Sequence, residues 1–343
     1  MTEEFTRPDG STGWMPTAPT VVGGQPLAPE GGIDEGVGMD AAVETAVEST
    51  EAAGLDLKVR SQWSYARMRF FRHRLAVAGL VGLVIIFGAG IFANVVAPYS
   101  YFAIDLQNIL HPPTTIDHHY FGTDGVGSDE FSRVIFGIRT SLEVGVFVAV
   151  VGSIFGLIVG AVAGYFGGIL DNLLMRITDL VLTLPILAIL LTASALTHST
   201  SQWSISIILA AFFWTGIARV VRGVFLSLRE KEYVEAAKAS GAGDARIMFR
   251  HILPNTLGPV IVNGTLAVGA AILTEAALSF LGFGIVPPTP SLGQLVANGQ
   301  NYPNQWWLTI FPGLLIVLIV LCVNFVGDGL RDALDPQQRR VRA

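Results

Sequence analysis

Glu143, Asp179, Arg219 and Glu275 stand out because each lies in, or at the edge of, a long apolar run. Ionised side chains are expensive in hydrocarbon and persist there facing a protein interior or an aqueous path. Asp179 and Arg219 fall near the ends of their runs, where packing or snorkelling explains them as well as a role does. Glu275 lies about four helical turns inside its run, which makes it the leading candidate for lining a solute path or holding a gate. Asp179 and Arg139 are further candidates for that path. No catalytic constellation accompanies these charges. The lysines are Lys58, Lys231 and Lys238, none before Ser or Thr, so no G-x-x-x-x-G-K-[ST] phosphate loop exists. H-E-x-x-H and C-x-x-C are absent as well. His111, His118 and His119 cluster with Asp117, but a metal site needs converging ligands with hydrogen-bonded support. We expect a solvated loop there, with no catalytic residue, metal or cofactor in this chain.

The other conspicuous chemistry is a polar island from Tyr233 to Pro254, YVEAAKASGAGDARIMFRHILP, between two apolar regions. Tyr233, Ala236, Ala237 and Ser240 follow the i, i+3, i+4, i+7 pattern of one helix face. Most are small, so a second backbone could approach closely. Lys231 with Glu235, and Glu235 with Lys238, are spaced to pair on the other side. Gly241 and Gly243 break the helix, because glycine tolerates the φ > 0 that a reversal needs. Asp244 is the expected N-cap of a second helix. Its apolar face would be Ala245, Met248, Phe249 and Ile252, with Arg246 and Arg250 opposite and Pro254 ending it. The island predicts a helix-turn-helix hook on the water side of a membrane.

The membrane follows from composition. Of 343 residues, 51% are hydrophobic and 14% charged, with a mean hydropathy of +0.56, whereas soluble domains carry about 25% charged residues. The single cysteine, Cys322, lies in an apolar run and excludes an intrachain disulfide. Residues 1–57 hold eleven acidic side chains and one arginine. They are rich in Gly and Pro without a sustained apolar face, and read as a disordered acidic cytoplasmic tail, not a signal peptide. Residues 58–74 interleave Lys58, Arg60, Arg67, Arg69, Arg72 and Arg74 with Trp63, Tyr65, Phe70 and Phe71. Before an apolar span, that mixture predicts an interfacial helix on anionic lipid and not a nucleic-acid site.

Residues 75–97 form a first span and 98–143 a polar extracytoplasmic segment. Further apolar runs at 144–166, 177–197, 203–222, 258–281 and 309–326 complete six spans. A transmembrane core of 144–327 contains the cytoplasmic loop 223–254, and 328–343 form a C-terminal tail. With the N-terminus inside, Lys and Arg fall inside at 58–74, 176, 222–250 and 331–342, and outside only at Arg133 and Arg139. The positive-inside rule therefore puts both termini and the hook in the cytoplasm. Trp306 and Trp307 fall at the outer interface, and Pro185 is expected to kink the third span.

The hook resembles the EAA loop of ATP-binding-cassette importer permeases: Glu235-Ala236-Ala237, Gly241 and Leu253-Pro254 are in register, while His251 stands where that pattern has Ile. Three more stretches resemble the dipeptide, oligopeptide and nickel branch, closest to its C-type subunit. They are FGTDGVGSDEFSRVIFGIRTSLEVG (121–145), Asp171…Met175-Arg176…Asp179…Leu184-Pro185, and Glu275-Ala276…Leu278-Ser279-Phe280-Leu281-Gly282-Phe283-Gly284 with Pro287-Pro288 and Pro290-Ser291. Ser128 departs from the arginine frequent there. The likeness covers residues 66–335.

It implies an all-α integral membrane protein of six transmembrane helices with cytoplasmic coupling helices, the type I importer permease. Tyr233, Glu235, Ala236, Ala237, Ser240, Gly241, Leu253 and Pro254 would couple to an ATPase. The implied partners are a homologous B-type permease subunit, two cytoplasmic ATPase subunits holding ATP and Mg, and an extracytoplasmic peptide-binding protein. The implied function is peptide import across the cytoplasmic membrane by alternating access. Nickel or another small solute is the alternative cargo. A secondary transporter is the rival class, but no clear pair of inverted repeats with broken helices supports it. A membrane enzyme lacks its constellations.

Overall fold

The computed structural model describes residues 2–6, 12–16, 62–197 and 201–334, in two compact units divided after Val59. The first unit holds strands β1 (Thr2–Thr6) and β2 (Thr12–Pro16), paired antiparallel with Thr2 opposite Pro16. The composition of this stretch predicts no regular element, and the hairpin is the difference. The rest of the expected 1–57 tail lies outside the described residues.

In the second unit, α1 (Gln62–Arg72) precedes α2 (Arg74–Ile91) and a short α3 (Ala93–Val96). Helix α1 buries Ala66 and Phe70 and leaves Arg67, Met68, Phe71 and Arg72 exposed. That is the mixed basic and aromatic surface of an interfacial helix. Residues 58–61 lie outside the described residues.

Helix α4 (Glu130–Phe166) begins well before the apolar run does. Asp129 caps it, its Oδ2 accepting the Ser132 amide at 2.8 Å. At 37 residues it is about 55 Å long, so its first turns extend beyond about 30 Å of hydrocarbon. The third span is the pair α5 (Gly168–Thr183) and α6 (Ile186–Thr197). These meet at 83° around Leu184 and Pro185, a break and not the gentle kink that one proline predicts. Helix α7 (Gln202–Arg229) follows, then the hook, then α10 (Leu253–Phe280). Between the 258–281 and 309–326 runs lies α11 (Leu292–Gly299), and α12 (Trp307–Leu334) closes the unit. Among the described residues, five helices are long and apolar enough to cross a membrane, or six with the bent pair taken as one span.

From about Phe147 onward, helix α4 packs along α7. Gly156, Gly160 and Gly164 allow this: a Cβ at each would stand 2.7 Å from the Trp214 carbonyl oxygen, 2.4 Å from that of Ala218, and 2.6 Å from Phe225 Cβ. Small residues at four-residue spacing let membrane helices approach closely. Ala76 at the start of α2 meets Gly329 near the end of α12, and Leu334 lies beside Gly258 at the start of α10. The beginning of α2, the end of α12 and the hook therefore share one end of the bundle. Segments 98–129 and 282–306 occupy the other, the loop end.

Candidate functional site

The hook opens with α8 (Glu232–Ala239), which ends in a Schellman turn. The Ala242 amide donates to the Ala237 carbonyl at 3.0 Å and the Gly241 amide to that of Lys238 at 2.9 Å. Gly241 has φ +77°, as its residue type predicts, and a Cβ there would meet nothing within 4 Å. The second half differs from expectation. Gly243, not Asp244, is the N-cap of α9 (Asp244–Arg246). A π-helical turn, Ile247–Ile252, then leads into α10 without a break.

Pro254 therefore does not end the helix. It sits at the first turn of α10, after a π turn in which the Leu253 amide donates to Met248. Proline has no N–H to place in an i→i−4 ladder, and a widened turn shifts the register around it. That register also changes the buried face. Ile247 and Ile252, five apart, are 0% exposed, whereas Phe249 is 67% exposed, so the expected Ala245, Met248, Phe249, Ile252 face does not form.

Val234 was missed by the sequence reading, yet it anchors α8. It is fully buried with Ile247 and Ile252 against Tyr165, Val221 and Phe225 of α4 and α7. Tyr165 donates its hydroxyl to Asp244 Oδ1 at 2.6 Å, and Arg229 donates to the Tyr165 carbonyl at 3.0 Å. Arg222 grips Asp171 of α5 through two bonds of 2.5 and 2.7 Å. Asp171 belongs to a motif visible in the sequence; Val234 carries no such mark.

With that face anchored, Tyr233, Glu235, Ala236, Ser240, Gly241, Phe249 and Pro254 point outward, and Ala237 and Leu253 are half-buried. Burial of part of its ring raises the Tyr233 phenol pKa, against the opposing effect of an Asn255 hydrogen bond. No ion pair joins Lys231, Glu235 and Lys238 among the described residues.

The path candidates separate. Glu275 is 0% exposed, inside a serine network. Ser141 of α4 and Ser279 of α10 donate to its carboxylate at 3.3 and 2.7 Å. The same hydroxyls accept the Leu292 and Ile285 amides at 3.3 and 3.2 Å. Its carboxylate thus ties α4, α10 and the start of α11 together within the chain, not on an open wall. Asp179 pairs with Arg219 at 2.5 Å, both side chains about half exposed (49% and 52%). Arg139 pairs with Glu143 at 3.0 Å on the α4 surface, and Gln202 donates to Glu143 at 2.9 Å.

The histidines do not form one solvated group. His119 is 3% exposed, its Nδ1 2.9 Å from Asp129 Oδ1, so it braces the α4 cap. His111 and His118 stay at the surface. Trp307 is likewise buried, donating to the Thr123 carbonyl at 3.3 Å, while Trp306 is exposed.

A hook locked to the bundle, with its small-residue face open, can be compared with known sequences. The family described as "Binding-protein-dependent transport system inner membrane component" matches residues 152–340. This chain belongs to that family. Residues 61–113 also match the N-terminal transmembrane domain of oligopeptide transport permease C. The permease is 42% identical over 286 residues to the oligopeptide transport system permease protein OppC of Escherichia coli, covering 83% of this chain and 94% of that one. It is 41% identical over 276 residues to OppC of Mycobacterium tuberculosis, covering 80% and 94%. It is 39% identical over 283 residues to the dipeptide transport system permease protein DppC of Alkalihalophilus pseudofirmus, covering 81% and 91%. A solved inward-facing structure of the MetNI methionine ABC transporter aligns with a TM-score of 0.47 at 21% identity, over 59% of this chain and 96% of that one.

Proposed function

We propose that this permease is the C-type subunit of an ATP-driven importer that moves peptides across the cytoplasmic membrane. The observation that carries the reading is the hook: a Schellman-locked turn whose small-residue face is open while its other face is sealed against α4 and α7. Such a face suits the groove of a second protein. The names of the oligopeptide and dipeptide relatives support peptides as cargo. In this reading both termini and the hook are cytoplasmic, which the Lys and Arg distribution supports. Two ATPase subunits hold ATP and Mg, one on this hook and one on the hook of a B-type permease partner. An extracytoplasmic binding protein delivers peptide at the loop end.

Closure of the ATPase pair would draw both hooks together and tip the helices from inward- to outward-facing, and hydrolysis would return them. Asp179 and Arg219 suit an aqueous wall, because a half-exposed ion pair facing lipid would be strongly unfavourable. Glu275 acts differently, as the residue that holds α11 in place.

The test is uptake into vesicles reconstituted with the permease, its B-type partner and the ATPases, with the peptide-binding protein supplied on the loop-end side. Labelled di- and oligopeptides should accumulate only with ATP inside the ATPase compartment. Uptake that survives removal of the ATPases would establish a secondary transporter instead, and nickel accumulation without peptide accumulation would reassign the cargo.

A further inference from the structure

Between segment 98–129 and the stretch from Pro287 to Leu308 lies a cavity of about 420 Å³ that the coupling and path readings leave unused. Its walls combine Tyr101, Phe102, Asn298 and Tyr302 with three charged groups, Asp124, Glu130 and Arg133. Two of the three satisfy each other. Asp124 Oδ1 accepts the Val126 and Ser128 amides at 3.0 and 2.8 Å, and its Oδ2 accepts from Arg133. Arg133 also donates to Gln294 Oε1 at 3.4 Å.

Glu130 is left over. It is 2% exposed and its Oε1 has no hydrogen-bond partner; Gln294, 4% exposed, has none for Nε2. A buried carboxylate oxygen without a donor is costly, so a cation with N–H groups is the complement of this wall. The surroundings agree. Residues 98–143 carry six acidic side chains against two arginines, and residues 282–306 carry no Asp, Glu, Lys or Arg, so the loop end attracts cations. Among the described residues no three His, Cys, Asp or Glu side chains converge as metal ligands, which points away from a metal ion. The aromatic and amide walls suit an organic stem.

We propose that this cavity binds one primary ammonium group, with Glu130 as its acceptor. Two sources carry that group, a peptide amino terminus and a lysine side chain, and the experiment separates them. The full-length permease in lipid nanodiscs is titrated with trialaninamide, N-acetyl-trialaninamide, N-acetyl-lysinamide and N-acetyl-norleucinamide, with binding read by saturation-transfer NMR. At least one free-amine probe should bind ten-fold or more tighter than its amine-free counterpart. Glu130→Gln should abolish that preference. Because Glu130→Gln alone could disturb folding, Asn298→Trp fills the cavity from its half-buried rim with Glu130 intact, and it should abolish the preference too. Preference for trialaninamide identifies the peptide terminus, and preference for N-acetyl-lysinamide identifies the side chain. Equal binding of amine and amine-free probes, or a preference that survives either variant, overturns the proposal. The measurement uses neither ATP nor a partner subunit, so its outcome is separate from that of the coupling reading.

Discussion

Gly241 offers the sharpest test of the hook, because the structure separates two costs that the sequence alone merges. Its φ of +77° is a conformation L side chains rarely adopt, yet a Cβ there meets nothing within 4 Å of the chain. Within the permease, substitution therefore costs backbone strain alone, about 1–3 kcal/mol for a β-branched residue. Taking about 2 kcal/mol, Gly241→Val lowers the population of the locked turn roughly thirty-fold relative to alternatives, at 1.4 kcal/mol per factor of ten. Asparagine visits the left-handed region more readily, so Gly241→Asn keeps most of the turn while adding a side chain to the outer surface.

The assay is co-purification of the ATPase subunits together with substrate-stimulated hydrolysis in reconstituted vesicles. Both variants should insert normally. Gly241→Val should lose docking and stimulated hydrolysis together. Gly241→Asn should dock nearly normally if the groove leaves room above the turn, and as poorly as valine if backbone meets backbone there. Normal subunit content and normal stimulated hydrolysis for Gly241→Val would refute the assignment of this hook as the coupling element.

Glu275→Leu should destabilise the permease by about 1–3 kcal/mol for each serine hydroxyl left without its acceptor, whereas Glu275→Gln, which keeps a carbonyl oxygen, should melt close to wild type; equal melting of both in detergent would show that the network is not structural. For orientation, in a Cys322→Ala background, cysteine placed at Ile116, 86% exposed at the loop end, should react with an impermeant maleimide in intact cells. Cysteine at the exposed Ser240 should react only after permeabilisation, and the reverse pattern would invert the topology.

The spans were legible because their signal is an average over some twenty residues, which single exceptions do not disturb. Gly241 was legible because few residue types accept φ > 0. What escaped depends on register or on distant partners. Pro254 reads as a helix terminator when the residues before it are taken as one α-helix, and the π turn before it lets the helix continue. The same turn moves burial from Phe249 to Ile247, which no 3.6-residue period could predict. His119 looked like one of three loop histidines until the fold set it against Asp129, ten residues away. Glu275 reads in the sequence as a path or gate candidate, and no local pattern shows that it is buried against Ser141, 134 positions earlier.

The correction at Pro254 changes what the hook can do. A helix that stopped there would leave a flexible joint between hook and span, and motion of the hook would be partly lost in that joint. Instead the apolar helix runs unbroken from Asp244 to Phe280. Asp244 and Glu275 are thus about 46 Å apart along one rod at 1.5 Å per residue. At the hook end the rod is fixed to α4 by the Tyr165–Asp244 bond of 2.6 Å. At the loop end it is fixed to α4 again by Ser141 and Glu275. In the proposed mechanism these two ties between α4 and α10 would carry a displacement of the hook to the loop end, including α11 and the cavity it borders. Substrate contacts at the loop end and nucleotide chemistry at the hook would then be coupled by rigidity, with no separate relay needed between them.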